Sequence, residues 1–64
     1  MSQKSIRQEI ILELSIMSKQ AKRIAAKMKE AGGETAEHGA ELYNASQIME
    51  TWMPGIHTEM QEEK

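Results

Sequence analysis

Apolar residues recur in the first half of the chain with a steady rhythm: Ile10, Leu14, Met17, Ala21, Ile24, Met28 and Ala31 follow one another at spacings of four and three. Strands alternate with period two and loops have no period, whereas this rhythm holds side chains on one side of a helix, as in a coiled coil. It predicts a helix over 6–31. Ser5, with Gln8 three residues later, has the spacing of a capping box. At the other end Lys27 and Lys29 suit the negative pole of the helix dipole, and Gly32-Gly33 supplies a left-handed stop.

A second stripe, His38, Leu42, Ala45, Met49 and Trp52, repeats the spacing and predicts a helix over 36–53. Thr35 is placed to cap it, and Glu37 lies in its first turn. Pro54-Gly55 is expected to end or kink it, because proline lacks an amide and disfavours helical geometry at Met53. Thr58 and Gln61 allow a last short helical turn.

The two stripes pair consistently. Facing residues of an antiparallel hairpin have position numbers with a constant sum, and Met28 with His38, Ile24 with Leu42, Ala21 with Ala45, Met17 with Met49 and Leu14 with Trp52 all give 66. A connection from Gly32 to Thr35 suits antiparallel neighbours. The same sum pairs Ile10 with Ile56 and Ile6 with Met60, so the C-terminal tail is expected to fold back along the first helix. The expected fold is all-α, one hairpin domain over 1–64, with Trp52 packed on Leu14 as its main anchor.

Such a hairpin has little core. Sixty-four residues with no Phe and no Cys offer few bulky anchors and no disulfide. Leu12 and Ile16 lie about 140° round the first helix from the stripe, beyond the reach of one partner helix. Ile6, Ile11, Leu12 and Ile16 are therefore the expected protein interface, and a homo-oligomer that completes a helical bundle, or a heterologous protein partner, is the expected state.

Charge modifies this picture only locally. The net charge is -2, yet Lys19, Lys22, Arg23, Lys27 and Lys29 form a basic stretch uninterrupted by acid. They are the candidate contacts to phosphates or an acidic partner, although no interleaved aromatic offers base stacking. Glu34, Glu37, His38 and Glu41 lie within two turns, but the residue three before His38 is Thr35, so the Glu-x-x-His pattern of di-iron bundles is missing and His38 reads as a boundary residue. The only Trp stands in Trp52-Met53-Pro54-Gly55, a longer spacing than the Trp-x-Gly turn of small secreted helical hairpins and not between the helices.

A catalytic reading finds no support. There is no Cys nucleophile and no Gly-rich phosphate loop, and a hairpin offers no enclosed pocket, so neither catalysis nor a cofactor or metal is expected. No run approaches a membrane span and the start has no long apolar leader, which points to cytoplasmic synthesis. The expected function is a non-enzymatic, oligomeric helical-hairpin interaction module: a small bacterial or phage adaptor, chaperone-like or assembly component. The alternative is a small nucleic-acid-associated regulator using the basic face of the first helix.

Overall fold

Glycine decides where the chain reverses. Gly32 and Gly33 have φ of +76° and +59°, values that cost an L side chain energy and glycine almost none. The Gly32 amide donates to the Lys29 carbonyl at 3.3 Å, and the Ala36 amide to the Gly32 carbonyl at 3.2 Å, so both helix ends are closed around a single residue. The computed structural model describes residues 3–62 as two antiparallel helices, α1 (Gln3–Ala31) and α2 (Gly33–Glu62). The hairpin measures 50 × 17 × 11 Å.

Several expected boundaries move. The connection is Gly32 alone, and Thr35 lies in the first turn of α2 rather than capping it. Ser5 lies inside α1, which already includes Gln3. The larger change is at Pro54, where α2 continues to Glu62 instead of stopping near Met53. Proline forfeits one backbone hydrogen bond there, but packing holds the helix beyond it. Met53, Ile56 and Met60 are half-buried along α1, and Arg7 pairs with Glu59 at 3.2 Å across the hairpin. The C-terminal segment thus does lie back along α1, as helix.

The contact between the helices is made of small residues. Ser18, Ala21 and Ala25 of α1 and Gly39 and Ser46 of α2 are the buried positions, and Ser46 is fully enclosed. Backbones come close at this seam: a Cβ added to Gly39 would lie 2.9 Å from the Met28 Cβ and 3.1 Å from the Ala25 carbonyl oxygen. Half-buried Ile11, Leu14 and Met28, with Leu42, Met49 and Met53 opposite, extend the seam.

This seam is not the expected one. Leu14, Ala21 and Met28 belong to both, but Ile10, Met17 and Ile24 are exposed, replaced by Ile11, Ser18 and Ala25. In α2, Gly39, Ser46 and Met53 replace His38, Ala45 and Trp52. At 100° per residue each helix is turned by roughly 60° from the expected orientation. Trp52 is therefore 52% exposed instead of serving as a buried anchor on Leu14. Small side chains in the seam let the two backbones come close at Gly39, which two facing stripes of Ile, Met and Trp would not allow.

Candidate interaction surface

Turning both helices moves both apolar stripes onto one side of the hairpin. In an antiparallel pair, residues displaced from the seam in the same rotational sense fall on the same face. Lys22 and Glu50, both displaced one way, are in contact, which fixes that side as the polar face. Displaced the other way are Ile6, Ile10, Met17 and Ile24 of α1 and His38, Ala45 and Trp52 of α2, all exposed. Between them lie the half-buried Leu14, Met28, Leu42, Met49 and Ile56. The residues expected to hold the two helices together are instead a broad apolar face along the hairpin.

The hairpin as a whole exposes much surface for so small a chain. The accessible surface is 4981 Å², whereas a compact monomer of this mass exposes about 4,100 Å². The radius of gyration, 14.9 Å, likewise exceeds the value of about 11 Å for a compact domain of this length. The excess surface, roughly 900 Å², is close to what one partner buries in a stable protein interface. Among the described residues only Ala21 and Ala25 are buried hydrophobic side chains.

The structure disperses the four residues expected as an interface. Ile6 lies on the apolar face, and Ile11 is half-buried in the seam. Leu12 and Ile16, 59% and 57% exposed, lie on the opposite side and back of α1. The signal missed in the sequence is the 3-4 spacing of small residues, Ser18-Ala21-Ala25, opposed by Gly39 and Ser46.

The polar face is organised around Glu50. Its Oε1 accepts from the Ser18 hydroxyl at 2.7 Å and from the Lys22 ammonium. The Ser18 hydroxyl also lies 3.4 Å from the Ser46 carbonyl, and the Ser46 hydroxyl donates to the Tyr43 carbonyl at 2.6 Å. Hydrogen bonds from Lys22 and then Ser18 hold the Glu50 carboxyl below its ordinary value, and the bond to Glu50 raises the Lys22 ammonium. Of the basic stretch, Lys22 is thus engaged within the hairpin, while Lys19, Arg23, Lys27 and Lys29 are exposed. On this face too, a shallow groove of about 640 Å³ runs over Ala25, Ala26, Ala36, Gly39 and Ala40, edged by Lys22, Lys29 and Tyr43.

His38 faces Glu41 at 3.6 Å on the surface. No three His, Asp or Glu side chains converge to hold a metal among the described residues. Among the described residues no helix is long and apolar enough to cross a membrane. No family model, curated protein or solved structure matches the chain.

Proposed function

We propose that this chain is a non-enzymatic helical-hairpin interaction module, which completes a helical bundle by taking further helices onto its apolar face. The observation that carries this reading is the face itself: Ile6, Ile10, Met17, Ile24 and Trp52 exposed side by side on a hairpin that closes without them. A contiguous exposed apolar face of this kind marks a protein contact. Adaptor, chaperone-like and assembly roles share this requirement. Replacing Ile10 and Ile24 together with Asp tests it: helicity should persist, because neither residue is in the seam, while assembly with a partner or with a second copy should be lost. Retained assembly would refute the use of this face.

A second reading, a nucleic-acid-associated regulator, rests on the exposed Lys19, Arg23, Lys27 and Lys29 of α1. Its signature is salt-dependent binding to generic duplex, with a salt slope that falls when one of these cations is removed. The apolar face has no part in that reading, so the two Asp substitutions would leave duplex binding intact.

A further inference from the structure

We infer that the occupant of the apolar face is an amphipathic helix of a different chain, with its apolar stripe flanked by Lys and Arg; this rests on the reading of the face as an interaction surface. The argument comes from the distribution of charge around the hairpin. At 100° per residue, the sector that carries Ile6, Ile10, Met17 and Ile24 on α1 also carries Glu13, and the sector of α2 that carries Ala45 and Trp52 also carries Glu34, Glu41 and Glu59. All four carboxylates belong to exposed residues. Among the described residues no Lys or Arg projects from these sectors. Glu9 and Lys27 share one angle at the back edge of α1 but lie about 27 Å apart along its axis, Glu9 toward the open end and Lys27 toward the turn. Arg7 reaches Glu59 from the seam, and His38 faces Glu41.

The cations lie elsewhere. Lys19, Lys22, Arg23 and Lys29 are displaced from the seam in the opposite sense, toward the face that holds Glu50. A net charge of -2 therefore conceals a two-sided molecule, apolar with an acidic border on one face and basic on the other.

That border discriminates between occupants. A second copy laid face to face would set Glu13, Glu34 and Glu41 against the same acidic set, and like charges across an interface select against a partner. A helix with Lys and Arg beside its apolar stripe meets opposite charge along both edges. The apolar stripe supplies the affinity, and the border supplies the choice of partner and the rate of encounter. Along a 50 Å hairpin such a helix has room for about 30 residues.

Trp52, the only tryptophan and part of this face, is the reporter. Two synthetic helical peptides without Trp serve as probes. They share one Leu/Ile stripe at 3-4 spacing, with Lys and Arg flanks in one and Glu flanks in the other, and Trp52 emission is titrated with each. The expected result is a blue shift with the basic-flanked peptide, at least tenfold tighter binding than the acidic-flanked one at low salt, and a gap that narrows as salt rises. Glu13→Lys, Glu34→Lys and Glu41→Lys combined, with helicity confirmed by circular dichroism, should reverse the preference. Equal affinity for both peptides would overturn the inference and leave the interaction module standing. So would sedimentation of the wild type as a dimer with Trp52 shielded from a quencher and no uptake of either peptide. A monomer up to millimolar concentration that binds neither peptide would overturn the module reading as well.

Discussion

The half of the hairpin next to the turn and the half at its open end solve the packing problem differently. Near the turn, Ser18, Ala21, Ala25, Gly39 and Ser46 are buried, and the Ser18–Glu50–Lys22 group closes one edge. At the open end no described residue is fully buried, although Ile6, Ile10, Leu12, Ile16, Met17 and Trp52 are all there and all exposed. The part with the smaller side chains is thus the part with the tighter interior. Close approach of two backbones buries modest residues completely, whereas large apolar residues placed beside the contact stay half exposed. Hydrophobicity alone does not locate the core of such a hairpin; much of it lies on a face that the chain itself leaves uncovered.

The strongest way to break this contrast is at Gly39. A Cβ there already meets the Met28 Cβ and the Ala25 carbonyl, neither of which is the flexible end of a side chain. Gly39→Leu is expected to cost about 3 kcal/mol or more, enough to unfold a domain this small, and chemical denaturation followed by circular dichroism should show it. Gly39→Ala should fall between, since it gains about 1 kcal/mol of helix propensity against the clash. An unchanged midpoint for Gly39→Leu would mean that the helices are not held this close.

Pro54 sharpens the contrast from the other end. The open half carries a proline in mid-helix, which costs up to about 3 kcal/mol relative to alanine. Pro54→Ala is therefore expected to raise the thermal midpoint and to protect the amides of 55–60 from hydrogen exchange. No gain in either would show that packing on α1 already fixes this segment fully.

Acid and base should act on the turn-proximal half through Glu50 and Lys22. The folded carboxyl of Glu50 lies below its ordinary 4.5, so its contribution is present above that value and is lost as pH falls through the lower folded value. Lys22 is raised above 10.5, so its contribution is present below that value and is lost as pH climbs through the higher folded value. The denaturation midpoint should be level from about pH 5 to pH 10 and fall on both sides. Glu50→Gln should flatten both arms, and a pH profile unchanged by this substitution would show that the pair contributes nothing.

The smallest effect on the isolated hairpin is expected from Trp52→Ala. A half-exposed ring outside the seam should cost no more than about 1 kcal/mol, and wild-type emission should be that of a wet indole. A loss of about 3 kcal/mol or more, the range for a buried aromatic, would restore Trp52 as a core residue.

Much of the architecture was legible in the residues. Gly32-Gly33 placed the reversal, and the sum of 66 that aligned the two stripes recurs in Arg7 with Glu59, with neighbouring values of 64 and 68 for Ser18 with Ser46 and with Glu50. Register was readable because a tight turn fixes it regardless of which sides of the helices meet. The rotation was not, because an apolar stripe shows only that a face avoids water, whether it is covered by the same chain or by another. Ser18, Ala25, Gly39 and Ser46 carry little hydropathy, so a reading weighted by apolar side chains passed over the seam they form. Pro54 misled for a different reason: a local breaker predicts the end of an isolated helix, and this one is held by residues more than forty positions away.

The single-residue turn also orders events in time. Contacts beside Gly32 join residues only a few positions apart, Ser18 and Ser46 are 28 apart, and Arg7 and Glu59 are 52 apart. Loop-closure entropy rises with that separation, so the hairpin zips from the turn outward and its open end is the last to form and the first to fray. The end richest in uncovered isoleucine is therefore also the end that opens most often. A partner helix of the kind proposed would meet two helices not yet zipped together there, and by clamping them would slow unfolding of the whole chain.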